Sequence, residues 1–246
     1  MTARIFFILL VPVLLFACKK EKASPTPAPS SPSPTAQGIQ DIDGNTYDTL
    51  VAGGNTWMKQ NLRVSKYRNG DSIVTGLDWA DWQGTSIGAY AYYDDASSNN
   101  STYGKLYNGY AVADARGLCP SGWHVATDND WIMLEIANGM LGTESTMTGF
   151  RGLAQNVGGK LKSTQLWSSP NTGANNSSGF TALPGGFRYS TSVDWYIQIG
   201  IQGHFWTSTS ANPSSAWTRF MGHDNPGIFR YESQLTDGFS CRCVRD

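Results

Sequence analysis

The chain has 246 residues, 40% of them hydrophobic and 15% charged, with a formal net charge of −1. With Arg4, Lys19, Lys20 and Lys22 set aside from the 18 basic residues and Glu21 from the 19 acidic ones, residues 39–246 keep 14 against 18, a net −4. A domain of that sign lacks the basic face that nucleic acid or anionic lipid headgroups require, so neither is expected as its partner.

The first element in chain order is an export signal. Arg4 precedes an apolar run from Ile5 to Phe16, and the small Ala17 stands directly before Cys18. That order reads as a bacterial lipoprotein signal peptide over residues 1–17, with Cys18 the lipidated first residue of the mature chain. The run is too short for a membrane-spanning helix, which needs about 20 apolar residues. Acyl chains on Cys18 would make the lipid membrane a partner, since each buried methylene contributes ~0.8 kcal/mol and stable attachment takes more than one chain. The expected address is the outer membrane, on its periplasmic face or at the cell surface; Lys19-Lys20-Glu21-Lys22 is not a clear acidic surface-export tag.

Residues 18–38 read as a tether. Ser24 to Gln37 is almost entirely Pro, Ser, Thr and Ala, too poor in apolar surface to offset its ordering entropy and biased toward extended polyproline II. At about 3.1 Å per residue such a spacer holds a domain roughly 40 Å from its anchor.

From residue 39 to 246 the composition is that of one folded domain. Asp41-Ile-Asp43-Gly-Asn45 carries an Asp-Gly turn between strand formers, with further strands through Val51 and at Asn55 to Met58. A calcium loop is the other use of these oxygens. The run stops short of the EF-hand pattern and lacks its terminal glutamate, so a hairpin turn is favoured; structural calcium has no clear motif and no cofactor is expected. The best helix follows Thr127, with Asp130 completing a capping box, Trp131, Leu134 and Leu141 at helical spacing, and Gly142 closing it. A second short helix surrounds Lys160 to Ser163. Beyond Phe180 short strands are predicted around Gly186–Ser190, Trp195–Gly200, His204–Ser208, Ala216–Phe220, Ile228–Tyr231 and Phe239–Val244. The fold class is therefore α+β, with one or two short helices and antiparallel strands concentrated in the C-terminal half.

Three cysteines lie in the domain: Cys119, Cys241 and Cys243. In an exported domain a pair among them is expected to bridge. Cys241 and Cys243 fall on the same face of a strand, where a direct bond is strained, so the bridge runs from Cys119 to one of the two. Cys-x-Cys without a nearby histidine does not have zinc spacing.

Catalytic readings are weak. Gly84-Thr-Ser86-Ile-Gly88 matches Gly-x-Ser-x-Gly, but a turn-rich stretch precedes it and Ala89 to Tyr93 follows in strand-like style, contrary to a nucleophile elbow. Gly158-Gly-Lys160 lacks the pattern of a phosphate loop. His124, His204 and His223 form no ligand pair, and His124 reads as a structural histidine. Asp94-Asp95 reads as a solvated loop, and Asp128 with Asp130 as favourable charge at a helix N-terminus. No catalytic residue is assigned, and binding is the default class. Trp206 and Trp217 read as core; Trp195 and Tyr196, beside polar Ser190 to Asp194, are the candidate binding residues.

The motifs Leu118-Cys-Pro-Ser-Gly-Trp-His-Val125, Thr127-Asp-Asn-Asp-Trp131, Gly179-Phe-Thr-Ala-Leu-Pro-Gly-Gly-Phe-Arg188, Phe205-Trp-Thr-Ser-Thr209 and Gly238-Phe-Ser-Cys-Arg-Cys-Val-Arg-Asp246 occur in that order. Together with Gly54-Asn-Thr-Trp-Met58 and Asn61-Leu62 they resemble the Fibrobacter succinogenes major paralogous domain, a module of exported proteins and lipoproteins in Bacteroidetes and Fibrobacteres, over residues 39–246. The resemblance implies a C-type lectin-like fold, the fold that also includes formylglycine-generating enzymes. It also implies a Cys119–Cys243 bridge, with Cys241 at a position where valine is usual. The paired reactive cysteines of formylglycine-generating enzymes have a different spacing, and the Glu-Pro-Asn and Trp-Asn-Asp calcium motifs of sugar-binding C-type lectins are absent. The expected function is an envelope-anchored lipoprotein presenting a lectin-like module to an extracellular polysaccharide or protein. The alternatives are a structural envelope component or an enzyme related to the formylglycine-generating fold.

Overall fold

The computed structural model describes residues 38–191 and 195–246. The signal peptide, Cys18 and the tether before Gly38 lie outside the described residues. Gly38–Asp246 forms one compact unit.

Its main element is a nine-stranded sheet whose spatial order scrambles the sequence. Tyr90–Ala91, Leu106–Asn108, Gly238–Phe239 and Gly185–Arg188 form one side. Gln202–Asn212, Ser215–Gly222, Ile228–Gln234 and Gly149–Arg151 continue it, and Tyr196–Ile199 pairs off the path with Gly185–Arg188. A four-stranded sheet runs Thr49–Ala52, Asn55–Met58, Cys243–Arg245 and Trp123–Val125. Among the described strands the pairings are antiparallel except that of Gln202–Asn212 with Gly185–Arg188. The α+β class holds, but strands occupy both halves of the domain.

The Asp-Gly turn forms as the sequence predicts. Ile39–Gln40 pairs with Thr46–Tyr47, and the Asp41 carboxylate accepts from the backbone N–H of Asp43 and Asn45, the Asn45 amide and the Tyr47 hydroxyl. One carboxylate thus closes the loop from inside.

Five α-helices occur among the described residues rather than one or two: Trp79–Gly84, Asn100–Tyr103, Gly109–Ala113, Asp128–Ala137 and Val157–Leu161. Most are a single turn or little more, too brief to show a periodic apolar stripe. Two of these are started by side chains, with Asp78 accepting from the Asp81 N–H and Asn108 from the Ala111 N–H. The long helix has the expected Thr127–Asp130 capping box but stops at Ala137, short of Gly142. Asn138 caps the Leu134 carbonyl with both its backbone and its side chain, and Gly139, at φ +102°, turns the chain away. The second helix, Val157–Leu161, starts three residues before Lys160 and ends two before Ser163.

The expected strand Phe239–Val244 is two strands. Gly238–Phe239 belongs to the large sheet and Cys243–Arg245 to the small one. Between them Arg242 is fully buried, donating to Asn61 Oδ1, to the Met58 and Phe180 carbonyls and to the Thr181 carbonyl. These neutral acceptors hold the guanidinium without a carboxylate, and burial draws its pKa down to about 9.

Two apolar cores flank this crossing. One gathers Trp57, Trp131 and Phe180 in edge-to-face contact, with Phe205 tilted against Trp131; the other holds Tyr107, Trp206, Phe239 and all three domain cysteines. Cys119 and Cys243 form the disulfide, with 124 residues of separation, and Cys241 is a buried free thiol. Trp206 is fully buried as expected, but Trp217 is only half-buried, and the Arg230 guanidinium lies over one face of its ring, 3.4 Å from the centre. Beneath the long helix, Asp128 pairs with Arg219 and Arg230, and Glu135 with Arg151 and Arg219.

Candidate functional site

The strand Tyr90–Ala91 leads into a tight turn, Tyr93–Asp95, in which Asp94 and Asp95 adopt φ of +55° and +52°. Opposite this turn runs Tyr196–Ile199, where Gln198 sits at φ +70°. Three of the eight described non-glycine residues in the left-handed region thus border one cleft of about 690 Å³, lined by Tyr93, Asp94, Asp95, Trp195, Tyr196 and Gln198, among others. Each costs of order 1–3 kcal/mol unless its surroundings compensate.

Gly186 makes the approach possible. At φ +60°, it lies so close to its neighbours that an added Cβ would meet the Ile197 carbonyl oxygen and the Tyr93 ring at 2.6 Å. Only glycine lets the tyrosine and the hairpin strand close over it.

Arg188 is the post behind the cleft wall. Its buried guanidinium lies 4.1 Å from the ring centre of Trp82, 5.1 Å from Trp195 and 5.2 Å from Tyr196, while donating to the Leu77 and Asp78 carbonyls and to the Tyr196 hydroxyl. The Tyr196 hydroxyl in turn donates to Asp95 Oδ1. Burial, then the Asp95 carboxylate, push the Tyr196 phenol well above its ordinary pKa, so it remains a donor. Burial followed by the charge of Asp95 raises the Asp94 pKa as well.

The two sequence candidates therefore meet in one cleft with different parts. Tyr196 is packed between Tyr93 and Arg188, and it positions. Trp195, half-buried and stacked at 27° to Tyr196, offers a ring at the cleft wall. Asp94 and Asp95 are exposed, as a solvated loop should be, yet they line the same cleft. Tyr93, Gly186, Arg188 and Gln198 were missed as site residues, although Gly185-Gly-Phe-Arg188 stands out as a motif. Their convergence depends on a strand about a hundred residues after the turn.

A second aromatic feature is differently built. Phe150, Phe229, Phe220 and His204 are register partners across four adjacent strands. Phe220 stacks on Phe229 at 4.7 Å and on His204 at 5.0 Å, so ring faces are consumed by neighbouring rings. This row stabilises the sheet rather than presenting a flat platform. Burial draws the His204 pKa down to about 3, and the neutral ring is held by Tyr231 and Gln202.

The remaining sequence candidates hold positions in the framework. Gly84 ends a helix and Tyr90–Ala91 follows as a strand, the reverse of a nucleophile elbow. His124 bridges Asp130 and Asp246. Gly158 and Gly159 pack against the Gly227 and Gly173 carbonyls rather than around a phosphate.

A family model, that of the Fibrobacter succinogenes major domain, matches residues 51–245. No curated protein and no solved structure matches the chain. With the match extending over most of its length, from the first long strand to the last, the chain belongs to the Fibrobacter succinogenes major domain family.

Proposed function

We propose that this chain is an outer-membrane lipoprotein, anchored through acylated Cys18, whose domain is a C-type lectin-like module that binds an extracellular polysaccharide. The observation that carries the reading is the cleft at Trp195: a half-buried indole beside the exposed carboxylates of Asp94 and Asp95. An aromatic face suits the C–H surface of a sugar ring, and carboxylates accept hydrogen bonds from hydroxyl pairs. The lectin-like reading draws support from the last strand, Cys243–Arg245, which returns to pair with Asn55–Met58 near the start of the domain. The role is binding without turnover, and nucleic acid is not among the partners. Among the described residues no helix is long and apolar enough to cross a membrane.

The test is a glycan array with residues 38–246 and its Trp195→Ala variant, run beside a pull-down from envelope extract. Glycan binding lost in the variant supports the proposal. Capture of a fixed protein partner with no glycan signal would replace it with a structural role. Mass spectrometry of Cys18 tests the anchor, and protease shaving of intact cells distinguishes the periplasmic face from the surface.

A further inference from the structure

A second depression, of about 450 Å³, adjoins the first and is lined by Thr75 to Asp78 and by Tyr92; Asp95 and Trp195 belong to both. Tyr92 has an extended backbone and Tyr93 follows it, so the two rings leave the chain in opposite directions, one into each depression. Trp195 and Asp95 are thus a ridge shared by two basins rather than the floor of one. Each basin alone is within the roughly 300–1,000 Å³ of a small-ligand cleft, so together they offer more than a single sugar residue fills.

The charge of this double cleft is one-sided. Asp78, Asp94 and Asp95 contribute carboxylates, and the described residues lining the two basins include no Lys, Arg or His. Arg188 lies buried behind the wall, donating to the Leu77 and Asp78 carbonyls and to Tyr196. A ligand bearing carboxylate or sulfate groups would meet like charge here with no cation to pair it.

We infer that the ligand is a linear polysaccharide free of acidic substituents, bound along its length across the Trp195–Asp95 ridge with sugar residues in both basins. The inference rests on the glycan-binding reading above and adds to it the ligand's form and charge.

The experiment is isothermal titration of residues 38–246 with neutral linear oligosaccharides of one to six units, from the cello-, malto-, xylo- and laminari- series, beside oligogalacturonates of matching length. The inference expects affinity for at least one neutral series to climb tenfold or more between two and four units and then level off, with oligogalacturonates at least tenfold weaker. Thr75 is exposed at the rim of the second basin. Thr75→Trp should fill that basin, so that affinity no longer climbs between two and four units. Equal affinity for two and four units, or a preference for oligogalacturonates, overturns this inference and leaves glycan binding standing. Failure of every oligosaccharide to bind overturns both, provided circular dichroism shows the domain folded.

Discussion

The Tyr196 hydroxyl donates to Asp95 Oδ1 at 2.6 Å and accepts from the Arg188 guanidinium at 3.1 Å, so one phenol joins the turn at residue 95 to the post behind the wall. Tyr196→Phe keeps the ring but unties the carboxylate. The partial exposure of the pair limits the loss of stability to about 1 kcal/mol. Loss of ligand affinity should exceed that, because Asp95 is freed to leave the ridge. Urea denaturation and titration of the same preparation separate the two effects.

Trp195→Ala should show the opposite division. A half-buried side chain at a cleft wall costs little in folding, while an aromatic hot spot of about 2 kcal/mol corresponds to a loss of affinity of roughly 30-fold. A large fall in the denaturation midpoint would identify the indole as core instead.

The cysteines give a stability prediction. Closing a loop of this size stabilises by about 4–5 kcal/mol in the chain-entropy model, within a measured range of about 2–5 for native bridges. Cys119→Ser with Cys243→Ser should therefore lower unfolding free energy by several kcal/mol in urea. Cys241→Val should stay within about 1.5 kcal/mol of the parent and preserve the bridge, as non-reducing peptide mapping would show.

Glu135 is fully buried between Arg151 and Arg219. Glu135→Gln leaves Arg151 without its carboxylate and Arg219 with Asp128 alone, and should cost about 3–5 kcal/mol, read as a fall in thermal midpoint. Unchanged stability would mean that Asp128 alone compensates the cluster.

Two histidines should set a pH optimum. For His124, burial acts to lower the pKa, but hydrogen bonds to Asp246 and Asp130 outweigh it and the net shift is upward from 6.5. Its contribution is therefore complete below 6.5 and is lost as pH rises through the folded value. His204 shifts the other way, from 6.5 to about 3, through burial. Its contribution is complete above 6.5 and declines as pH falls toward 3. Stability should peak near pH 6.5, with His124→Gln flattening the alkaline limb and His204→Phe the acid limb, checked by urea midpoints from pH 4 to 8.

Local chemistry made parts of this fold readable in advance. The Thr127–Asp130 box, the Asp41 turn and the strands from Gln202 to Gln234 are written in adjacent residues, and the structure has them. The short helices at Trp79 and Gly109 are not, because a single turn capped by Asp78 or Asn108 leaves no apolar period. The family motifs, rather than spacing, chose Cys243 over Cys241. Trp195 and Tyr196 stood out by composition, but nothing near them in sequence pointed to Asp95, which reaches them only through tertiary pairing. Arg230 over Trp217 is of the same kind: the cation that covers this half-buried ring comes from the neighbouring strand.

The bond between Cys119 and Cys243 also determines how the domain would carry mechanical load. Tension applied between Gly38 and Asp246 crosses directly from one sulfur to the other and bypasses the chain that separates them. Trp195 and the strand that follows it lie within that shunted stretch, whereas Asp94 and Asp95 lie on the loaded side. Under such end-to-end tension the chain carrying the carboxylate rim is loaded, while the indole sits on a closed loop that bears none of it.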